Sequence, residues 1–499
     1  MRVVQNLQMQ IGEVDISQIE LDPKSRDDIP QILKGLQHLY VNQALRAEIF
    51  ELLQADVAPK VDKRNGRPGM ALWKILVCGV LRLDLNIDYD RLHELANKHL
   101  TIRQMLGHGA FNDEQYQVQT LKDNVQLLTP ELLDKINQIV VKAGHALVKK
   151  KPGEALRGRC DSFVVETHVH YPSDISLLFD AMRKVVTLTA RVCESSGLSH
   201  WRQSAYNLRH IKRKLRAAQN AKRSKAQSQE HKDKRQALTA QAHQDYLDVA
   251  QHYLDKARTT LAMLQQQGLG PLELALKLQI EEFMRHATRQ IDQTKRRVIE
   301  GQVIPHAEKV FSIFEPHTEW VNKGKAGVAV ELGLKTAIME DQFQFILHHR
   351  VMQHEVDEQV AVAMVLQTQQ RFADFVACSF DKGFHSPSNQ SELKQHLELL
   401  ALPRKGKLSQ AAQQIESAPE FVQARRKHSA VESAINALEV HGLDRCPDHG
   451  IAGFKRYVAL AVVARNIHRI GAILKQQEQK REQRKKKYAD RDTTYKLAA

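Results

Sequence analysis

The chain has 499 residues, 73 Lys and Arg against 58 Asp and Glu, a formal charge of +15 and a pI near 9.4. That length allows about three domains and a sizeable core, and so basic a balance points to a polyanionic partner. Five cysteines without CxxC spacing argue for buried free thiols in a reducing compartment, against disulfides or zinc; no apolar run reaches the roughly 18 residues of a membrane span, and early Gln and Asp break any signal-peptide pattern, so a soluble, intracellular protein is expected.

Residues 1–30 are mixed and polar. Helical spacing begins at Pro30 and runs to Leu53, followed by a polar loop over Asp56–Arg67. Met70–Arg82 is a strongly apolar helix, and Tyr89–His99 and Leu100–Leu106 continue the pattern until Gly107 and Gly109 break it. Two more helices fill Asp113–Leu147, with Thr129 and Pro130 as cap and first helical residue of the second. Residues 1–155 therefore read as an all-helical domain. A helix-turn-helix within Asp88–Leu106 competes there with an ordinary helix pair, the simpler reading.

Arg157–Asp174 (RGRCDSFVVETHVHYPSD) is β-branched and aromatic, and reads as a strand closed by Pro172. The next hundred residues are helical again. Ile175–Glu194 is amphipathic, His200–Arg235 is dominated by Arg and Lys, and two apolar stripes flank the Gly268–Pro271 turn. The stripes predict an antiparallel hairpin with arms of about thirty residues, roughly 45 Å each. Strand patterning returns at Val310–Phe314, at Val328–Leu332 and Phe343–His348 around a Glu340–Asp341 turn, at Phe375–Asp381 and at Leu400–Leu402. Helices are expected at Val360–Phe372, Gln390–Leu399, Glu416–Leu438 and Phe454–Leu474, with a loop over His441–Gly453. Lys475–Lys487 reads as a frayed helix or disordered tail. The expected architecture is thus an α/β domain (156–174 plus 305–474) interrupted by a helical insertion (175–304), preceded by helices and followed by a basic tail (475–499).

Three acids stand out. Asp161 lies near the start of one apolar strand, Asp381 ends another, and Glu432 sits in the last-but-one helix. An acid in an apolar strand is costly unless a cation compensates it. Carboxylates on rigid strands are what a hard, oxygen-preferring ion needs, and two-ion phosphoryl chemistry needs several that converge. Any one of them also reads as a surface or capping residue. Glu166 and Asp357 are rivals: strand alternation puts Glu166 on the face opposite Asp161, and Asp357 also reads as an N-cap.

The segments RGRCDSFVVETHVHYPSD, NKGKAGVAVELG, FILHHRVM, CSFDKGFHS, LPRKGK, KHSAVESAIN and FKRYVALAVVARNIHRIG, in that order, resemble insertion-sequence transposases of the ISNCY group, within the DDE superfamily. The resemblance implies an RNase H-like catalytic core and metal-dependent DNA transposition. It implies Asp161, Asp381 and Glu432 as catalytic and metal-binding residues, with two Mg²⁺ ions that Mn²⁺ can replace. It further implies double-stranded DNA partners (element ends and target), a homo-oligomer on DNA, and a place on the bacterial nucleoid. Some relatives surround the Glu with Tyr, Arg and Lys at fixed spacings; here Arg425, His428 and Glu439 stand at those positions, so only the Glu agrees. Alternatives of other kinds are a DNA-binding protein without chemistry and a nuclease of the same fold.

Candidate DNA contacts are Lys212, Arg213, Lys214 and Arg216 in the basic run, Lys323, Lys325 and Lys382 beside glycine turns, and Arg425 and His428 near Glu432. The basic clusters also read as solvated faces. Trp201 and Tyr206 could stack on a base, but packing under the insertion is the simpler expectation.

Overall fold

The computed structural model describes residues 3–5, 8–9, 11–57, 69–221, 228–322 and 329–497. It divides into two compact units, Met1–His168 with Val321–Ala499, and Val169–Trp320.

The first unit opens with α1 (Asp28–Val41) and α2 (Gln43–Val57). The expected continuous run is broken because the Asn42 side chain accepts from the amides of Ala44 and Leu45, capping a new helix. Then come α3 (Leu72–Asp84), α4 (Tyr89–Lys98), α5 (Leu100–Met105), α6 (Val118–Val125) and α7 (Pro130–Leu147). Thr129 caps α7 as expected, accepting from Leu132 N at 3.1 Å. Only His99 separates α4 from the six-residue α5, which leaves neither the turn nor the length of a helix-turn-helix, so the ordinary helix pair stands.

β1 (Leu156–Thr167) follows, and then the second unit, α8 (Asp174–Ser195), α9 (Ser204–Ala221), α10 (Gln229–Gln267) and α11 (Pro271–Thr294). This is a four-helix assembly with its own core, not a free-standing hairpin. The arms have 39 and 24 residues, α11 packs mainly on α8, and α10 packs mainly on α9. Trp201 is buried, donates to Thr260 Oγ1 at 3.0 Å and lies under the Lys256 ammonium, which is the packing role. Val310–Phe314 is no strand: the Ser312 hydroxyl accepts from Phe314 N and Glu315 N and turns the chain.

The chain continues with β2 (Glu319–Asn322), β3 (Val330–Asp341), β4 (Ile346–Val351), α12 (Asp357–Arg371), β5 (Phe375–Phe380), α13 (Pro387–His396) and β6 (Leu399–Ala401). After these come α14 (Gln410–Ser417), α15 (Pro419–His428), α16 (Ala430–Leu438), β7 (Arg445–Cys446) and α17 (Gly450–Leu497). The helix expected over Glu416–Leu438 is three pieces. Pro419 starts a new one, and Ser429, whose hydroxyl bonds Arg426 O, separates α15 from α16. The loop expected over His441–Gly453 holds the short β7 and the start of α17.

The fold is mixed α/β, as expected. The sheet runs β2-β3-β1-β5-β6, with β4 also on β3 and β7 on the end of β1. β3 is antiparallel to β1 and to β4; β5 and β6 are parallel to β1. β3 extends through Glu340 and Asp341, where a turn was expected, and the chain reverses just after. Buried Asp341 accepts from Phe343 N and Phe345 N and meets His145 Nε2 at 2.5 Å.

One continuous core joins the N-terminal helices to the sheet, and α17 runs through it against α1, α3 and α7. By length and composition α17 could cross a bilayer, yet 72% of its apolar window is buried inside the protein. α1 and α17 touch at two glycines. A Cβ on Gly35 would stand 2.2 Å from Ile467 O, and one on Gly471 2.0 Å from Gln31 O. Asn466 on α17 accepts from Ile346 N and donates to Asn137 on α7 at 2.7 Å, tying strand and helices inside the core. The helix continues through the basic segment expected to fray: Lys475 donates to Ser25 O and Glu478 pairs with Lys34. All five cysteines are buried and free.

Candidate active site

The register of β1 on β5 builds the site. Cys160 faces Phe380 in the parallel pair, so the next residues, Asp161 and Asp381, fall side by side where β5 ends. Asp161 is half-buried and accepts from its neighbour Ser162 N at 2.7 Å. Asp381 is exposed and accepts from Gly383 N at 3.1 Å in the turn that follows β5. Glu432 is exposed in the first turn of α16, where the helix dipole favours its charge, and α16 packs on β1.

Burial pushes the Asp161 carboxyl up to about 6, and the fields of Asp381, Asp357 and Glu432 add to it, against the Ser162 amide. Asp381 and Glu432, the other acids picked from sequence, are therefore within electrostatic reach of Asp161, and so is Asp357. Asp357 is not an N-cap: Val356 holds that position and Asp357 is the first residue of α12. Its carboxylate accepts from Ser162 Oγ at 2.6 Å and from Lys335 Nζ at 2.8 Å. Nothing local in sequence announced the Lys335 partnership, which depends on β3 lying beside β1. Glu166 stands apart, five residues along β1, paired with Arg445 at 2.8 Å.

Among the described residues no three His, Cys, Asp or Glu side chains converge closely enough to ligate one ion as they stand. The donor chemistry nonetheless fits a hard divalent ion. All four groups are carboxylates, and Mg²⁺ keeps several waters and uses only one or two direct carboxylates.

His428 ends α15, with Nδ1 3.0 Å from Ser379 Oγ and a buried Nε2 that has no hydrogen-bond partner. Burial lowers its pKa, while Asp381 and Glu432 pull the other way. Lys382 and Arg425 are exposed, one beside Asp381 and one a turn before His428. A cleft of about 430 Å³ runs between α15 and strands β1 and β5, lined in part by Arg157, Arg159, Lys427 and Ser379 and also by Glu398 and Glu420; Arg159 is paired with Glu340 at 2.8 Å. Lys323 and Lys325 lie outside the described residues.

In the second unit, the expected basic face on α9 divides. Lys214 pairs with Asp245 on α10 at 2.8 Å, and Lys212 lies 6.0 Å from the Phe179 ring. Lys212, Arg213 and Arg216 are exposed. Comparison with protein-family models, with curated proteins and with solved structures finds no match to this chain.

Proposed function

We propose that the chain is a DDE transposase, which cuts DNA at the ends of a mobile element and joins the freed 3′-OH to target DNA. The observation that carries this reading is the placement of Asp161 and Asp381 side by side on adjacent parallel strands, with Glu432 brought to them by α16. Support comes also from the sheet. Three antiparallel strands (β4, β3, β1) lead into two parallel ones (β5, β6), an order that suits the RNase H-like core implied by the resemblance.

Asp161, Asp381 and Glu432 would hold two divalent ions, Mg²⁺ or Mn²⁺. Bound there, such ions supply activation of the attacking oxygen and charge stabilisation for in-line displacement at phosphorus. The remaining roles belong to the chain. Asp161 is costly to ionise alone in its half-buried position, so a cation beside it relieves that cost. Exposed Arg157 and Lys427, which line the cleft beside α15, and exposed Lys382 and Arg425 would meet the sugar–phosphate strand. Exposed Arg213 and Arg216 on α9 would hold flanking DNA without reading its sequence. Cutting two element ends together favours a dimer or larger assembly on DNA.

The test is purified protein with Mg²⁺ and labelled duplexes carrying the element ends that flank its gene. Nicked and joined products are expected, lost with EDTA and with Asp161→Asn, Asp381→Asn or Glu432→Gln, while Ca²⁺ supports binding alone. Nicking without joining would favour a nuclease. Binding without either would favour a DNA-binding protein without chemistry.

A further inference from the structure

An ammonium is bound within the acid cluster. Lys335 Nζ is 2.8 Å from Asp357 Oδ2, and the two side chains are 28% and 18% exposed, so water screens the pair only partly. The other oxygen of Asp357 accepts from Ser162 Oγ, which holds the carboxylate at the edge of β1. Successive residues point to opposite faces, so Asp357 approaches from the side of Ser162, not that of Asp161. It meets the cluster around the end of β5, at Gly383. A Cβ there would stand 3.3 Å from Asp357 Oδ2 and 3.4 Å from Asp381 Oδ2, the oxygen that accepts from Gly383 N. Two carboxylate oxygens thus lie close to one backbone position, and one of them already has a cation.

We propose that Lys335 is an exchangeable counter-ion: it holds Asp357 until a phosphodiester arrives, then moves to a phosphate oxygen and releases Asp357 toward a divalent ion shared with Asp381. The proposal rests on the phosphodiester reading above. Both partners of the exchange are charge pairs, ammonium with carboxylate before and ammonium with phosphate after, so no charge is left uncompensated at either end. DNA and metal would then strengthen each other's binding through Lys335, a positioning residue in this scheme. The glycine fits the same account, since a side chain at 383 would press on both carboxylates.

The test is Mn²⁺ binding to the full-length protein by calorimetry, with and without a duplex oligonucleotide. Wild type should bind Mn²⁺ roughly five- to tenfold more tightly when DNA is present. Lys335→Met should bind Mn²⁺ more tightly than wild type without DNA, and DNA should add nothing further. Asp357→Asn should weaken Mn²⁺ binding, and the double variant should match Asp357→Asn alone. Without metal Lys335→Met should melt earlier than wild type, and Mn²⁺ should raise its melting temperature by more than it raises that of wild type. The more conservative Lys335→Gln, read the same way, covers the case in which Lys335→Met fails to fold. Mn²⁺ affinity that is unchanged or weaker in both Lys335 variants overturns the proposal and leaves the functional reading standing. Absence of Mn²⁺ binding by wild type, with DNA present, overturns both.

Discussion

In the first unit helices from the two distant ends of the chain share one core, since α1 packs on α17 and the sheet lies against helices from both sides of the insertion. In the second, four helices consecutive in sequence cover one another. The first has its carboxylates and buried polar network on strands and helices brought together across hundreds of residues. The second has local packing under an exposed basic face. Chemistry that needs several acids fixed relative to one another belongs on the long-range scaffold, and interactions that need only charge can sit on the local one.

The largest effect that sharpens this contrast is on cleavage. Asp161→Asn should lower it by on the order of a hundredfold to a thousandfold, with DNA binding retained. The same variant should stabilise the metal-free fold at pH 7. Burial raises the folded pKa of Asp161 to about 6, above the ordinary 3.8, so its stabilising contribution is full below 3.8 and lost as pH rises through about 6. Removing the charge should recover about 1 to 2 kcal/mol, read by denaturant titration without metal. A variant that cuts normally removes Asp161 from the site.

Breaking the first unit's core should leave the second standing. Gly471→Val places methyl groups where Gln31 O already sits, and should destabilise the first unit by about 3 kcal/mol or more. Hydrogen exchange should show protection lost in α1 and α17 but kept in α10 and α11. Uniform loss would mean the two units melt as one.

The basic face tests the other side of the comparison. Changing Lys212, Arg213, Lys214 and Arg216 together to Gln should weaken DNA binding similarly across sequences and flatten its salt dependence, with cleavage chemistry intact. Each phosphate that the variant no longer neutralises lowers the slope by about 0.9. Lys212, Arg213 and Arg216 should carry most of that change, because Lys214 is engaged by Asp245. A wild-type slope in the quadruple variant would put the face in solvent.

The smallest effect concerns pH and stability away from the acids. Burial raises Glu340 to about 7, against the opposing pull of Arg159 2.8 Å away. Its folded pKa exceeds the ordinary 4.5, so its contribution is full below 4.5 and declines as pH rises through 7. Melting temperature should fall over that range in wild type and fall less in Glu340→Gln. Parallel profiles would mean that Glu340 does not ionise there.

The acid-bearing strands were legible because β-branched and aromatic residues cluster in them, but the acids alone were not decisive, since β1 carries Glu166 as well as Asp161 and Asp381 also caps the turn after β5. Asp357 was visible as an acid but not as a member of the cluster, because its neighbours Ser162 and Lys335 come from two other strands. Helix ends were misjudged where a side chain rather than the apolar period decides, as at Asn42 and Ser429. The run after Lys475 looked disordered because its own composition is polar. What orders its first turns is Ser25 and Lys34, more than four hundred residues away. Lys214 looked unpaired for the same reason, its acid lying on the next helix.

The crossing of α1 and α17 also sets a clock. A ribosome adding about 5 to 20 residues per second takes roughly 20 to 90 seconds between making Gly35 and making Ile467. Through that interval α1 has no α17 to cover it, while the four helices of the second unit emerge together and can close at once. Order of synthesis and order of assembly therefore differ, and the first helix made is among the last to find its partner. Such long-range pairings make folding slow. A nascent chain halted before residue 450 would present the α17-facing surfaces of α1, α3 and α7 to chaperones and proteases, whereas one from which α11 has fully emerged would already hold its insertion folded.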